Sequence, residues 1–136
     1  MACADTTVLL DLAGRGGSAL KARATSRLVD LARQEQRLAT TRFSLAELYV
    51  GISKSRRPER EERKLERVLR FLEVFEFDDR AARRFGEITA HLHGIGRPVG
   101  DMDVLIAATT LANGDYLITR DARHFADIPA LRVEEY

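Results

Sequence analysis

The sequence has one cysteine, Cys3, among 136 residues. A single thiol excludes both an internal disulfide and a metal site built from several thiolates. The apolar opening, MACA, predicts that Cys3 is a buried strand residue in a reducing compartment. No basic segment opens the chain, and Asp5 and Asp11 interrupt the only early apolar run, so neither a signal peptide nor a membrane span is predicted. We therefore expect a cytoplasmic protein.

Motifs of several common chemistries are also missing. There is no phosphate-binding P-loop, no dinucleotide-binding Gly-x-Gly-x-x-Gly and no nucleophile elbow. Ser44 has no histidine at a recognisable offset. His91 and His93 lie two residues apart on a predicted helix and point in different directions, which argues against a shared metal ion. His124 lies in a predicted turn near Asp121, where a surface position is favoured over contact with a substrate.

Repeats, low-complexity segments and linkers are absent as well, so a single domain spanning residues 1–136 is predicted. Short apolar runs predict strands at residues 1–5, 38–41, 75–77, 116–118 and around 131–133. Helical patterns cover residues 20–34, a segment from Ser44, residues 58–72, a segment capped by Asp78 or Asp79, and a buried helix over 104–112. Residues 6–12 fit either strand or helix. This alternation predicts an α/β fold, a three-layer α/β/α domain with a mostly parallel central sheet.

Four acidic residues fall at comparable places in this arrangement. Asp5 and Asp121 end strands, whereas Glu47 and Asp103 lie in the first turns of helices. In open α/β sheets both kinds of position lie at the carboxyl edge, where ligands bind. Four carboxylates gathered there would repel one another and resist ionisation unless a cation compensated them. Oxygen ligands of this kind favour Mg²⁺ or Mn²⁺ over Zn²⁺.

Each acid also has a purely structural explanation. Asp101 is the favoured N-cap of the helix over 104–112, and Asp103 would complement its dipole. Glu47 stands at the capping-box position and could reach back to the backbone of Ser44. Asp11 could simply face solvent. The combination of four acids at one edge makes these separate explanations less satisfactory.

The basic residues have two interpretations. Lys and Arg total 22 against 21 Asp and Glu, a balance that neither favours nor excludes nucleic acid. The charged segment 54–70 is typical of a solvated helix with i,i+4 ion pairs. Seven other basic residues are of greater interest because loops near the acidic edge hold several of them: Arg15, Lys21, Arg23, Arg42, Arg97, Arg120 and Arg123. Four of these arginines, Arg42, Arg97, Arg120 and Arg123, are singled out. An acidic metal pocket with a basic rim suits a phosphodiester substrate, so these are candidate RNA-binding residues.

Four sequence blocks resemble PIN-domain proteins, specifically the VapC-like toxin ribonucleases of bacterial toxin–antitoxin pairs. The blocks are DTTVLLD at 5–11, SLAELYVG at 44–51, PVGDMDVLIAA at 98–108, and LITRD at 117–121 with Phe125. They occur in the order found in the family and cover nearly the whole chain. The Gly-rich stretch 14–18 departs from the shorter loop of many members, which leaves substrate selection there open.

The resemblance implies roles for individual residues. Asp5, Glu47 and Asp103 match the core metal ligands, and Asp121 matches a fourth position that the family fills with Asp or Asn. Thr6 and Thr119 match hydroxyl positions that orient the carboxylates. Asp101 falls at a variable position, where it would assist or only cap the helix.

The resemblance further implies a Mg²⁺- or Mn²⁺-dependent endoribonuclease that forms a homodimer. A metal-activated water would attack the phosphodiester and leave a 5′ phosphate and a 3′ hydroxyl. A cognate VapB-like antitoxin would lie in a groove of the helices between residues 44 and 72. Two alternatives stay open: a non-catalytic PIN-like module that binds RNA or protein, and a phosphotransfer domain. The latter requires a lysine near its phosphorylated aspartate, and none is evident near Asp5.

Overall fold

The computed structural model describes residues 1–114 and 116–136. In this part of the chain the α-helices are α1 (Thr6–Leu12), α2 (Ser18–Arg33), α3 (Arg42–Ser53), α4 (Pro58–Leu69), α5 (Asp79–Gly94) and α6 (Asp101–Asn113). The strands are β1 (Ala2–Ala4), β2 (Leu38–Thr41), β3 (Glu73–Phe75), β4 (Tyr116–Thr119) and β5 (Val133–Glu135). A short 3-10 helix covers Ala122–Phe125. No helix of the described residues is both long and apolar enough to cross a membrane.

The strands form one sheet in the order β3-β2-β1-β4-β5, and every neighbouring pair is parallel. Cys3 of β1 lies opposite Ala39 on one side and Leu117 on the other. The chain moves outward from β1 to β3 and then returns to place β4 on the other side of β1. In such sheets, ligands bind beyond the carboxyl ends of the strands where the order reverses. The expected site therefore lies beside β1 and β4.

Alternating strand residues supply two hydrophobic cores, one on each face of the sheet. Ala2 and Ala4 pack with residues of α1, α2, α3 and α4. Cys3 points to the opposite face and packs with α5, α6 and Phe125. The predicted three-layer α/β/α architecture is thus confirmed.

Two strands are shifted by two residues from their predicted positions. The third strand is Glu73–Phe75 instead of 75–77, and the last is Val133–Glu135 instead of a strand centred on 131–133. In β3, Phe75 pairs with Thr41 of the neighbouring strand, so the register of β2 sets where β3 ends. Segment 6–12, for which both strand and helix were open, is helical.

Two predicted helix caps are also wrong. Helix α3 begins at Arg42, because Thr41 is its N-cap and accepts a hydrogen bond from the Ser44 backbone N–H. Ser44 therefore lies inside the helix, and the capping box with Glu47 does not form. Helix α6 begins at Asp101 itself, with Gly100 at the cap position. At α5 the first of the two predicted caps is correct, since Asp78 accepts from the Ala81 N–H at 2.9 Å.

Candidate active site

A pocket of about 420 Å³ opens at the carboxyl edge of the sheet. Its lining includes the four predicted acids, Asp5, Glu47, Asp103 and Asp121, together with Thr6, Thr7 and His124. These residues lie just after β1 and β4, in the first turns of α1 and α6, in the second turn of α3 and in the 3-10 helix. Glu47 is the one in the second turn of α3, because that helix begins at Arg42, so its predicted place in a first turn is wrong. The volume falls in the range of ~300–1,000 Å³ that is usual for ligand sites.

Asp5 is the most buried of the four acids, with 4% of its surface exposed. It directly follows β1 and caps α1, where Oδ1 accepts from the Val8 N–H at 3.2 Å and from the Thr7 hydroxyl at 2.6 Å. The Thr119 hydroxyl donates to Oδ2 at 2.5 Å. Burial raises the pKa of Asp5 above its ordinary value, and these hydrogen bonds oppose the shift by stabilising the carboxylate.

Glu47 reaches the pocket from α3, where it lies one turn beyond the N-terminus. The Thr6 hydroxyl, at the start of α1, donates to Glu47 Oε1 at 2.5 Å. This contact joins the beginnings of two helices that follow neighbouring strands. Thr6 therefore holds the carboxylate of Glu47 in one orientation.

Asp103 and Asp121 lie on the other side of the pocket, and His124 stands between them. Its Nδ1 is 3.3 Å from Asp103 Oδ2, and its Nε2 is 3.2 Å from Asp121 Oδ2. His124 is 59% exposed over its side chain, as a surface position requires, yet it contacts two of the acids. The backbone N–H of Asp121 donates to the Thr119 hydroxyl at 3.0 Å, so Thr119 links Asp5 to Asp121.

The four carboxylates line one pocket, but their oxygens do not form a preassembled metal-coordination site. Among residues 1–114 and 116–136, no three Asp, Glu, His or Cys side chains converge closely enough to hold a metal ion. Hydrogen bonds from Thr6 and Thr119 and the ring of His124 occupy carboxylate oxygens instead. The donor set itself is almost purely carboxylate oxygen, which fits a hard divalent cation.

The structure separates the remaining candidates. Asp101 is exposed and stands outside the pocket lining. Each of the four arginines has a carboxylate partner: Arg42 pairs with Glu76, Arg97 with Asp127, Arg120 with Asp11 and Arg123 with Asp121. Arg120 and Arg123 flank Asp121 closely in the chain, whereas the other two pair with exposed acids on the surface.

Two residues in or beside the site were not identified from the sequence. Thr7 bonds Asp5 and also accepts from the Arg120 N–H at 2.9 Å. A hydroxyl two residues after an N-cap aspartate is a local signal that could have identified it. Asp11 is fully buried, so the solvent-facing interpretation is wrong. Its partners lie more than a hundred residues away in the chain, and local sequence carries no signal for them.

Comparison with known proteins identifies a family model. Residues 2–131 match the model of the PIN domain. A tRNA(fMet)-specific endonuclease VapC of Salmonella typhimurium is 36% identical over 100 residues, which cover 74% of this chain and 76% of that protein. Ribonuclease VapC2 of Rickettsia felis is 32% identical over 108 residues, covering 79% of this chain and 81% of that protein.

Solved structures give a consistent result. The crystal structure of VapBC2 from Rickettsia felis bound to a DNA fragment from their promoter matches with a TM-score of 0.89 and 27% identity, over 99% of this chain and 98% of that one. The crystal structure of DNA-bound VapBC from Salmonella typhimurium matches with a TM-score of 0.83 and 29% identity, over 98% and 96% of the two chains.

Proposed function

Because the chain belongs to the PIN domain family, we propose that it is a metal-dependent endoribonuclease, the toxin of a VapBC-type toxin–antitoxin pair. The observation that carries this proposal is the set of four carboxylates, Asp5, Glu47, Asp103 and Asp121, around one pocket at the carboxyl edge of the sheet. The names of the relatives, endonuclease and ribonuclease VapC, support RNA as the substrate. The proposal takes residues 1–136 as a single PIN domain, which the family match over 2–131 supports.

The four carboxylates are the proposed ligands of a divalent cation, Mg²⁺ or Mn²⁺. When bound, the cation would supply positive charge that stabilises the anionic phosphodiester and makes a water molecule more acidic. Thr7 and Thr119 favour the ionised form of Asp5 by donating to its two oxygens. Thr6 holds the carboxylate of Glu47 in one orientation. Carboxylates that are already held in place lose less conformational entropy when they bind a cation.

Charge at the rim suits an anionic polymer. Arg120 and Arg123 follow β4 on either side of Asp121, and both side chains are at least partly exposed. Guanidinium groups bind phosphate oxygens with two parallel hydrogen bonds, so they would position the RNA backbone. Arg42 and Arg97 are proposed to extend this surface less strongly, because each is paired with an exposed acid.

An antitoxin is the proposed protein partner, and a homodimer is the proposed assembly. A groove between α1, α3 and α4 is lined by Leu9, Leu48, Ile52 and Leu65, and also by Thr6 and Glu47 of the acidic pocket. An apolar helix laid in this groove could therefore place a side chain next to the carboxylates. The solved relatives are toxin–antitoxin complexes, which supports this partner.

The test compares the wild-type protein with Asp103→Asn on a pool of structured RNAs, in Mg²⁺ or Mn²⁺ and in chelator. We expect cuts at a few sites that require the metal and disappear in the variant, because an amide lacks the charge of the carboxylate ligand. Asp101→Asn is the matched control, since it removes a carboxylate from the same helix turn outside the pocket. It should retain most of the activity. Mapping the fragment ends would identify the sites and the 5′ phosphate.

Two outcomes would contradict the proposal. Equal cutting by the wild-type protein and Asp103→Asn would attribute the activity to a contaminant. Absence of both cutting and metal binding would favour a non-catalytic module that uses the same surface to bind RNA or protein. Calorimetric titration of Mn²⁺ distinguishes this second outcome from a missing RNA target.

A further inference from the structure

Asp11 is a fully buried carboxylate outside the acidic pocket. Arg120 Nε donates to its Oδ2 at 2.9 Å, and the hydroxyl of Tyr136 donates to the same oxygen at 2.6 Å. The other oxygen, Oδ1, has no hydrogen-bond partner among the described residues. It is covered closely, because a Cβ atom on Gly16 would lie 2.5 Å from it. A buried charge of this kind requires a cationic partner, and Arg120 is the one that it has.

Arg120 connects this buried acid to the acidic pocket. Its backbone N–H donates to the Thr7 hydroxyl, which donates to Asp5 Oδ1. Thr7 and Asp11 lie four residues apart on α1 and therefore share one face of that helix. Thr7 lines the pocket, whereas the guanidinium of Arg120 contacts Asp11, one helical turn farther along α1.

The guanidinium is only partly used by these contacts. A guanidinium carries five N–H donors, and within the described residues Nε is the nitrogen that bonds Asp11. The side chain of Arg120 is 40% exposed. The Tyr136 side chain also lies beside the guanidinium, and the exposed part of the guanidinium can contact an anion.

This anchoring distinguishes Arg120 from the other candidate arginines. Arg123 is 90% exposed and pairs with Asp121 at 3.3 Å. Arg42 and Arg97 pair with Glu76 and Asp127, which are 64% and 40% exposed. Ion pairs between exposed side chains are weak, so they hold the arginine side chain in one conformation only weakly. A side chain that is already ordered loses less conformational entropy when it binds a ligand.

We propose that Arg120 binds a phosphate of the RNA backbone next to the cleaved one, and that Asp11 and Tyr136 are positioning residues that hold its guanidinium for this contact. This inference rests on the proposed nuclease function. Arg120 would donate its terminal N–H groups to the non-bridging oxygens of the phosphate. Asp11 and Tyr136 would act only through Arg120, without touching the RNA.

The test measures binding of a fluorescently labelled structured RNA in chelator, over a series of salt concentrations. Arg120→Gln should weaken binding ~10-fold and lower the slope of log affinity against log salt by ~0.7–0.9, the value of one phosphate contact. Arg120→Lys keeps the charge and should keep the slope, with weaker binding because the planar fork is lost. Arg33→Gln is the matched control, because Arg33 is an exposed arginine of α2 paired with Asp30. It should leave both quantities unchanged.

Tyr136→Phe tests the positioning role. It removes one hydroxyl from Asp11 and should weaken RNA binding ~3-fold in the wild-type background but not in Arg120→Gln, because coupled residues are non-additive. Since Arg120→Gln leaves Asp11 buried without a cation, the double variant Asp11→Asn with Arg120→Gln provides a neutral pair that should fold. It should show the same salt slope as Arg120→Gln alone.

Cleavage kinetics separate this inference from the function on which it rests. Arg120→Gln should raise KM ~10-fold while kcat changes less than ~3-fold. Unchanged affinity, salt slope and KM in Arg120→Gln, together with metal-dependent cleavage by the wild-type protein, would overturn the inference and leave the nuclease function intact. Equal effects of Tyr136→Phe in both backgrounds would refute the positioning role. Absence of RNA binding and cleavage by the wild-type protein would overturn both.

Discussion

At the residue scale, burial and hydrogen bonding act in opposite directions on the ionisation of Asp5. Burial raises the pKa of Asp5, because a low-dielectric environment disfavours the charged form. Hydroxyl groups from Thr119 and Thr7 and one backbone N–H from Val8 oppose this shift. A proton on Asp5 competes with a bound cation, so cation affinity should rise with pH over the range in which Asp5 ionises. In the proposed metal site, these hydroxyls would therefore favour cation binding by stabilising the carboxylate form of Asp5.

Thr119→Val removes the shorter of the two hydroxyl contacts to Asp5 and the acceptor of the Asp121 N–H. Loss of groups that support metal ligands typically costs ~10–100-fold in metal affinity, and we expect a loss of this size. Calorimetric titration with Mn²⁺ measures it.

Thr109→Val is the control for this prediction, since Thr109 is also fully buried and its hydroxyl donates to the backbone of Leu105 at 2.7 Å. Thr119→Val loses two hydrogen bonds and Thr109→Val loses one, and each bond contributes about 1 kcal/mol to stability. Only Thr119→Val should alter cation affinity. Equal affinities in the two variants would refute the supporting role of Thr119.

At the element scale, the junctions between strands and helices bring the acids to one edge. Asp5 follows β1 and Thr41 is the last residue of β2, and each, in extended backbone, caps the helix that follows immediately. With no loop between strand and helix, the first turns of α1 and α3 start beside each other at the end of the sheet. Thr6 and Glu47 therefore meet, although they lie 41 residues apart.

Replacing two glycines by alanine should have opposite effects on the stability of the protein. Gly86 lies inside α5 with open space at its Cβ position, so Gly86→Ala should stabilise the protein by about 0.5–1 kcal/mol through helix propensity. Gly16 lies between α1 and α2, where a Cβ would meet Asp11 Oδ1 at 2.5 Å and Leu20 Cδ1 at 2.7 Å. Arg120 and Tyr136 hold Asp11 by hydrogen bonds to its other oxygen, Oδ2, so the carboxylate cannot move away from an added Cβ without breaking them.

Gly16→Ala should therefore destabilise the protein by about 1–3 kcal/mol, the usual cost of overpacking. Urea denaturation of both variants and the wild-type protein measures the two effects. A Gly16→Ala protein as stable as Gly86→Ala would mean that Asp11 is mobile, in contrast to the packing described here.

At the scale of the whole molecule, β1 is the centre of the fold. It pairs with β2 and β4 on its two sides and is covered by a hydrophobic core on each face. Its three residues, Ala2 to Ala4, are completely buried. Local opening elsewhere leaves such a strand intact, so β1 should become accessible only when the whole domain unfolds.

Cys3, the single cysteine, tests this directly. Burial raises the pKa of its thiol to about 12, so almost no reactive thiolate is present near neutral pH. Alkylation with iodoacetamide should be very slow in the native protein and should accelerate with urea in parallel with global unfolding. Mass spectrometry would detect a single adduct, and the fully denatured protein is the control. Rapid labelling that does not depend on urea would contradict this account.

Much of this organisation was predictable from the sequence. Short apolar runs that alternate with helical periodicity are enough to predict a parallel sheet between two helical layers, because periodicity follows from backbone geometry. The same pattern indicated that four acids follow strands or open helices, and the structure brings all four to one pocket. Predictions of exact caps were less accurate, since both Thr41 and Ser44 are good capping residues and only the end of β2 decides between them.

The sequence by itself determined the fold class and the acids of the site, because both depend on local patterns of polarity and on element boundaries. Only the tertiary structure decided which distant side chains become partners. Asp11 meets Arg120 across 109 residues, and His124 stands between Asp103 and Asp121. Such pairs depend on the strand order around β1, which brings β4 beside α1. Strand order is a property of how the whole chain packs, and no local pattern of residues encodes it.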